Sequence, residues 1–548
     1  MSMDPLAQRL MLRYEFMAKD RGTWENHWDE CARYVLPRKD NQYGSQLTRG
    51  SERAIYSYDG TPIQANETLA SSLNGMVVSA SDKWLEWATG IPELDHQHEV
   101  IAWLQHVADR MLAVYKDSNF YTEAHEVFLD LGALGTSTLY QEEDDKHVVK
   151  FMCRPIYDFY IDCDRFKKLT TVCEKCRYYF YQLIDEFGLD AIPHRLKEQY
   201  QSANDNAKES IRMTPYTVLH FVFRNKEYDM EDITSRRFSS IWLLKDTGDI
   251  LKKSGYHEMP YAIPRWTISQ DEIYGRSPAM KALPDIRMLN SITRYYLRSV
   301  QKVSDPPLQA PSDGFLKPYR TGPGAMNYYD PTTQNRIEPI NTGARPDISN
   351  DLLRDVRLRI QQAFFTDKLQ LRDGPQMTAT ETLQRTEEQM RVMGPQISRL
   401  RPDFIVPTVE RTFGIMLRKK MFDPAPQILK DREIKIKLVS KIEKAQKMGQ
   451  ADSLLRTVNA VQPLVEGDPV NTLKVFKPDE AIRIFGALFG LPFEVLKTPA
   501  QMQAENQKQM MQNDALMESE IEKNEAKGAV DTAKADALEQ GAAKPGAK

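Results

Sequence analysis

The sequence predicts an α+β protein with more than one hydrophobic core. At 548 residues the chain is several times the usual size of one domain. Apolar residues recur at helical spacing from Pro5 to about Leu36 and from Val100 to Tyr115, whereas short apolar runs separated by polar turns lie between about Leu134 and Phe187. We therefore expect a helical N-terminal part followed by an antiparallel sheet.

The boundaries of the first elements are set by glycines and small residues. Arg21-Gly22 is expected to divide the first helical pattern into two helices, since glycine is a strong local breaker. The segment Thr68–Trp87 is expected to begin as a helix of small residues, and Gly132–Gly135 is expected to form a tight turn. Strands are predicted at Thr138–Tyr140, Val148–Phe151, Tyr178–Tyr181, Thr217–Arg224 and Ser240–Lys245.

Composition and charge argue against several classes of protein. Hydrophobic residues make up 41% of the chain and charged residues 27%, the mean hydropathy is −0.55, and no apolar run is long enough to span a bilayer. The N-terminal residues are charged throughout, so we expect no secretion signal and a protein kept in the cytoplasm. A net charge of −4 argues against a protein that coats nucleic acid by bulk attraction, but it does not exclude transient contact.

The five cysteines indicate reduced thiols rather than a disulfide framework. Cys173 and Cys176 have the CxxC spacing of a zinc half-site or a redox pair. The other two cysteines of this cluster, Cys153 and Cys163, are too far apart to form the second close pair that a zinc ribbon needs. Buried thiols in strands are the favoured interpretation, and metal binding is the alternative.

Sequence signatures of catalysis are missing. The chain lacks the GxxxxGK[ST] phosphate loop of ATPase motors and the GxSxG elbow of hydrolases, and its nine histidines show no metal-binding spacing. The acidic run Glu142–Asp145 lies between two strand-like runs, where a solvated turn is favoured over a divalent-ion site. We therefore predict no catalytic residue, no metal, no cofactor and no enzyme activity.

The centre of the chain predicts two long helices separated by an extended segment. From Ala279 to Val303 apolar residues recur at helical intervals, and four basic residues fall on the opposite face. These four residues are Arg287, Arg294, Arg298 and Lys302. Asp305-Pro306-Pro307 must end the helix, because proline lacks an amide hydrogen and restricts the residue before it. A segment rich in Pro and Gly follows to Pro346, and the second helix begins near Ile348.

A short loop then leads into a third helix. The loop, Thr366–Gln376, contains Lys368 and Arg372, and Thr378-Ala-Thr-Glu381 has the spacing of a capping box. The helix is expected to reach about Lys420, with bends at Gly394-Pro395, Pro402 and Pro407. Beyond Asp431 we expect a strand and helical segments to about Leu496, and then a helix that frays into a disordered end.

This order of segments resembles the portal proteins, or head-to-tail connectors, of short-tailed bacteriophages. Three stretches carry the likeness, and they are Leu69–Trp84, Gly132–Asp144 and Tyr274–Pro311. The likeness covers about residues 1–495, and several separate blocks agree in order.

The resemblance implies a phage portal fold with an α-helical stem, an α/β wing and clip, a long kinked helix and a helical C-terminal crown. An N-terminal arm and α+β wing would occupy residues 1–265, the first stem helix region 266–304, the clip 305–346 and the second stem helix 347–365. A tunnel loop at 366–377, the long kinked wing helix at 378–420, wing and crown at 421–495 and a helical or disordered tail at 496–548 would complete the chain.

The resemblance also implies roles for particular residues. Lys368 and Arg372 in the tunnel loop would contact DNA phosphates without reading the base sequence. Two alternatives stay open for the four basic residues of the first stem helix, which would either line the channel or bridge to carboxylates of neighbouring subunits. Such carboxylates include Asp285, Asp351 and Asp355. Docking of partners on the clip would involve Phe315, Lys317, Tyr319, Arg320, Tyr328 and Tyr329.

The function implied is a ring of twelve subunits at one capsid vertex, through which double-stranded DNA is packaged and later ejected. Its partners would be the same chain, non-specifically bound DNA, the terminase large subunit, tail adaptor or nozzle proteins, the major capsid protein, and scaffolding or internal core proteins, with no membrane. The ring would be assembled in host cytoplasm and would remain in the virion. The alternatives are a tail adaptor or another ring protein of the virion, and, less favoured because the phosphate loop is missing, a packaging ATPase.

Overall fold

The structure is a computed structural model. It describes residues 4–39, 57–91, 94, 97–229, 232–306, 308–309, 338–339, 346–369, 391–429 and 435–438, together with isolated helical positions between 505 and 534. The chain divides into two units, one of residues 1–91 with 103–442 and one of residues 92–102 with 443–548. The elements that carry the candidate site belong to the first unit.

Helix α1, Pro5–Val35, is continuous, so the expected division at Arg21-Gly22 is wrong. Glycine in the interior of a helix costs about 1 kcal/mol relative to alanine. Arg21 outweighs this cost, because its buried guanidinium donates hydrogen bonds to the carbonyl oxygens of Tyr157 and Phe159, each at 2.8 Å. A contact with a distant part of the chain therefore holds the helix together where the local sequence weakens it.

Three helices and a short strand follow, namely α2 at Thr61–Val77, β1 at Leu85–Ala88, α3 at His98–Asp117 and α4 at Phe120–Leu134. Helix α3 confirms the predicted amphipathic helix, whereas α2 begins before the expected Thr68. The expected tight turn at Gly132–Gly135 is wrong, because this segment is the end of α4. Gly135 ends the helix in the left-handed conformation with a φ of 77°, which glycine adopts without steric cost.

The sequence predicted an antiparallel sheet in this part of the chain, and the structure has two, one of three strands and one of five. Strands β2, Thr138–Asp144, and β3, Val148–Arg154, make a hairpin with the acidic run at its tip. Five strands then form a meander in chain order, and they are β4 at Phe159–Cys163, β5 at Leu169–Tyr179, β6 at Pro215–Arg224, β7 at Phe238–Leu244 and β8 at Ile250–Tyr256. Strand β9, Tyr261–Ala262, adds to the free side of β2.

Short helices fill the connection between β5 and β6. They are α5 at Phe180–Phe187, α6 at His194–Ser202 and α7 at Asp205–Arg212. The predicted strand Tyr178–Tyr181 is therefore half wrong, since β5 ends at Tyr179 and α5 begins at the next residue. Strand β5 can end here because Phe180 turns into a buried apolar cluster with Leu183 and Val218.

The centre of the chain confirms the two long helices. Helix α8 spans Pro278–Ser304 and α9 spans Pro346–Ala363. Between them, β10 at Leu308–Gln309 pairs antiparallel with β11 at Glu338–Pro339. The rest of the predicted clip lies outside the described residues.

A helical turn, α10 at Thr366–Leu369, opens the predicted tunnel loop, and residues 370–390 lie outside the described part of the chain. Helix α11 at residues 391–400 passes through Gly394-Pro395 and continues into a π-type turn at Arg401–Ile405 and helix α12 at Val406–Arg418. The irregular turn contains Pro402, where a bend was predicted, because proline removes a helical hydrogen bond. Strand β12, Lys435–Leu438, confirms the predicted late strand by pairing with β1.

The largest core lies where the long helices meet the N-terminal helices. Trp28 of α1, Leu69 of α2, Phe128 of α4, Ile286 of α8 and Phe404 of the π-type turn are all buried in this one cluster. The inner ends of α8 and α9 are thus held in a shared apolar core, which fixes their position relative to the body of the first unit.

Candidate functional site

Helices α8 and α9 run antiparallel and form the core of the candidate site. Asp285, near the start of α8, pairs at 3.4 Å with Arg359, near the end of α9. Ser277 caps α8, accepting a hydrogen bond from the amide of Met280 at 3.0 Å and donating one to the carbonyl of Ala133 at 2.8 Å. The start of α8 is therefore fixed to the end of α4.

The segment just before α2 holds both long helices. The Asp59 carboxylate accepts hydrogen bonds from Arg357 of α9 at 2.8 and 3.0 Å, and the amide of Tyr58 donates to Asn290 of α8 at 2.7 Å. Burial opposes ionisation of Asp59, but its bonds to Thr61 and Arg357 hold its pKa below the usual range. Sequence reasoning missed this contact because it placed the start of the helix at Thr68, whereas α2 begins at Thr61, two residues after Asp59.

The chain immediately before α8 is also fixed by close backbone contact. The carbonyl of Gly135 accepts from the amide of Trp266 at 2.9 Å, and the amide of Gly275 donates to the hydroxyl of Thr136 at 2.8 Å. A side chain at Gly135 would meet the carbonyl oxygen of Gly275 at 2.3 Å. The two glycines thus allow the end of α4 to pass directly against the strand-like segment that leads into α8.

A buried arginine ties this segment to the π-type turn before α12. Arg265 is 1% exposed and pairs with Asp403 at 3.2 Å, while it donates to the carbonyl of Lys167 at 2.8 Å and to the sulfur of Cys163 at 3.3 Å. Sequence reasoning missed this cluster, because its members are far apart along the chain. Its effect is to join β4, the approach to α8 and the long helix.

The predicted basic face of α8 divides into two parts. Arg287 is bound by Glu30 of α1 through a two-contact ion pair. Arg294, Arg298 and Lys302 are exposed, and no ion pair joins them to any residue that the structure describes. Only the outer three basic residues are therefore available to a partner.

The remaining predicted contact residues are only partly described. Lys368 is exposed on α10, which follows a sharp corner where Phe365 adopts a φ of 60° and the hydroxyl of Thr366 donates to the carbonyl of Gln361 at 3.0 Å. Arg372 and the six predicted clip residues lie outside the described residues, and they are Phe315, Lys317, Tyr319, Arg320, Tyr328 and Tyr329.

The four clustered cysteines lie in strands, as predicted, but only Cys173 is buried and the other three are partly buried. Cys153, Cys163, Cys173 and Cys176 lie in β3, β4 and β5 as free thiols, and burial raises the pKa of each one. In the described part of the chain, no group of three or more His, Cys, Asp or Glu side chains is placed to hold a metal ion. Over the same residues, no helix combines the length and the apolar character needed to cross a membrane.

A second charged cluster lies away from the long helices, in a cavity of about 650 Å³ beside β5 and β6. Arg154, Asp158, Glu174 and Lys175 line it, and Arg154 pairs with Glu174 at 3.4 Å. Burial and the nearby Glu174 carboxylate raise the pKa of Asp158 to about 6. Ionisation of Asp158 in this cavity therefore lowers the stability of the folded state.

Asp158→Asn is expected to stabilise the protein above about pH 6 and to leave stability unchanged below about pH 4. The pKa of Asp158 is higher in the folded state than in the unfolded chain, so the folded state binds this proton more tightly. The resulting stabilisation is complete below the pKa of the unfolded chain, and it is lost as the pH rises through about 6. The gain at neutral pH should be about 1–2 kcal/mol, allowing for partial solvent exposure.

Thermal unfolding of the full chain at about pH 4 and about pH 7.5 checks this expectation. Asp185→Asn, which changes an exposed carboxylate on α5, is the matched control and should give no pH-dependent gain. An equal change of Asp158→Asn at both pH values would contradict the assignment.

Comparison with known proteins identifies the family. The sequence matches the family described as bacteriophage head to tail connecting protein over residues 7–496. The chain belongs to this connector family. The resemblance inferred from the order of its segments is thereby confirmed, and membership makes the chain a phage portal, the head-to-tail connector of the virion.

Relatives of this connector chain match it over nearly their whole length. A probable portal protein of Bordetella phage BPP-1 is 29% identical over 543 residues, which are 96% of this chain and 96% of that protein. The portal protein of Salmonella phage epsilon15 is 26% identical over 535 residues, which are 95% of this chain and 94% of that protein. Among solved structures, a chain in the virion of a native gene transfer agent particle aligns with a TM-score of 0.37 and 9% identity, over 73% of this chain and 86% of that chain.

Proposed function

We propose that twelve copies of this chain form a ring at one vertex of the capsid, through which double-stranded DNA is packaged and later ejected. The α8–α9 pair is the observation that carries the proposal. The last buried residue of α8 is Thr293, and beyond it the helix presents basic and apolar side chains to solvent. Repeated around a symmetry axis, such pairs would surround a channel.

In this ring α8 and α9 form the stem, and residues 305–346 form the clip that docks the packaging terminase and later the tail adaptor. The six clip residues named above, three of them tyrosines, are suited to such docking because tyrosine and arginine are enriched in protein interfaces. ATP hydrolysis belongs to the terminase. The wing contacts the major capsid protein and the scaffolding or internal core proteins during assembly in the host cytoplasm.

Lys368 and Arg372 contact the phosphates of the passing duplex. The exposed position of Lys368 on α10 supports this role, because a ring repeats one lysine into a belt of positive charge. The packing of α10 supports this role further. After the corner at Phe365, α10 packs against α9 and α2, which holds Lys368 in a defined position. Contacts of this kind act on any base sequence.

Electron microscopy of the purified full-length chain tests the ring, with symmetry counted from end-on views. The expected result is a closed ring of about twelve subunits with a central bore. K368A/R372A is expected to form the same ring, because neither residue is assigned to a subunit contact. Phage carrying it should retain less DNA than the wild type at low salt, and this difference should shrink as the salt concentration rises and screens the wild-type contacts.

Two outcomes would overturn parts of this proposal. A chain that stays monomeric at all salt and protein concentrations would leave the ring without support and would favour the tail-adaptor alternative. Rings of K368A/R372A that package and retain DNA like the wild type would remove the phosphate-contact role while leaving the ring intact.

A further inference from the structure

The outer ends of α8 and α9 carry charges that no ion pair joins to the residues described by the structure. At the inner ends, the arginines are bound to carboxylates of the same chain, as described above. Further out, Arg294 and Arg298 of α8 and Asp351 and Asp355 of α9 are exposed, and no ion pair joins any of them to a described residue. These four side chains are therefore available for contacts outside the subunit.

The two outer faces have opposite charge. From Ile286 to its end, α8 contains four basic residues and no Asp or Glu. On α9, Arg357 and Arg359 are already neutralised by ion pairs, so the acidic residues outweigh the single remaining Arg354. A carboxylate face repels DNA phosphates and attracts a basic protein surface. The face of α9 thus favours a protein partner over nucleic acid.

The charges of the two helices also lie at nearly the same position along the helix axes. The Asp285–Arg359 contact fixes the antiparallel register. With a rise of about 1.5 Å per residue, Arg294 lies about 13.5 Å beyond Asp285 and Asp351 lies about 12 Å beyond Arg359, in the same direction. Rotation about a ring axis leaves the height of every atom unchanged, so the two residues would meet at one level if the helices run along that axis.

Exposed apolar side chains accompany these charges. Tyr295 is 65% exposed and Leu297 45% exposed, and at about 100° per residue they flank Arg294 on its two sides. On α9, Leu352 and Leu358 are likewise exposed. A basic patch with tyrosine and leucine beside it is typical of a protein interface, where such residues become buried.

We propose that these faces bind each other between neighbouring copies of the chain, with Arg294 and Arg298 of one subunit paired with Asp351 and Asp355 of the next. A closed ring needs two different, complementary faces on the same chain, and the outer ends of α8 and α9 supply them. The inference rests on the proposed ring, and it assigns these arginines to subunit contact rather than to the channel.

Charge reversal on either face tests the contact in the full-length chain. R294D/R298D and D351R/D355R are each expected to reduce the fraction of chain in rings by at least about tenfold, because each brings like charges together. Analytical ultracentrifugation and electron microscopy measure this fraction, and the thermal unfolding of each unassembled variant shows that it is folded. R195D, at an exposed arginine of α6, is the matched control and should form rings normally.

The combined variant R294D/R298D/D351R/D355R is expected to form rings again, since both faces are reversed together. A mixture of the two double variants is likewise expected to form rings with alternating subunits, because every α8 face then meets an α9 face of opposite charge. If either double variant fails to fold, R294Q/R298Q removes the charges but keeps polar, flexible side chains, and it should weaken the rings without abolishing the fold.

The outcomes separate this inference from the proposed function. If the wild-type chain forms no ring, the proposed function fails. If the wild type and R294D/R298D form equal rings but phage with the variant cannot package DNA, these arginines line the channel and the inference is overturned. Failure of the combined variant to form rings while the R195D control succeeds would also overturn the pairing.

Discussion

Replacing Arg21 with methionine is expected to lower the free energy of unfolding by about 3–5 kcal/mol, the range measured when one partner of a buried ion pair is removed. Arg21 is 2% exposed, pairs with Glu25 one turn further along α1, and donates to the carbonyls of Tyr157 and Phe159. Methionine fills a similar volume but leaves these acceptors unsatisfied in the protein interior. Chemical denaturation of the full chain, at a concentration where it is unassembled, measures the loss.

Arg13→Met is the matched control on the same helix. Arg13 is 34% exposed and pairs with Asp162 at 2.8 Å, and surface ion pairs of this kind contribute about 1 kcal/mol or less. If Arg21→Met were no more damaging than Arg13→Met, the buried contacts of Arg21 would not be what holds α1 against the sheet.

Gly135→Ala is expected to destabilise the chain by about 3 kcal/mol or more and to prevent ring assembly. The left-handed conformation of this residue costs an L-amino acid about 1–2 kcal/mol. The added Cβ would also lie 2.3 Å from the carbonyl oxygen of Gly275 and 2.7 Å from the amide of Ser277, so the backbone must move. Ser277 caps α8, and a shift there displaces the proposed stem.

The control for Gly135→Ala is Gly22→Ala in α1. A Cβ at Gly22 meets no atom within 4 Å, and the residue is helical, so this change should stabilise the chain by about 0.5–1 kcal/mol. Thermal unfolding compares the two variants, and electron microscopy counts rings. Intact rings formed by a fully stable Gly135→Ala chain would show that the backbone contact before α8 is not needed to place the stem.

The sequence by itself determined the elements whose signals are local. Helices α3, α8 and α9 follow from apolar periodicity, and the proline pair after Asp305 marks the end of α8. The order of these elements was enough to indicate the connector family, which the comparison confirms. The basic face of α8 was likewise visible, because residues at helical spacing share one side whatever the helix packs against.

Only the tertiary structure decided which of these residues are already used within the chain. Arg287 and Arg298 look equivalent on the helical pattern, yet Glu30 of the distant α1 binds the first and no described residue binds the second. Arg21 keeps α1 continuous in the same way, through carbonyl groups more than a hundred residues away. Such contacts depend on where remote segments meet in space, and local periodicity carries no information about that meeting.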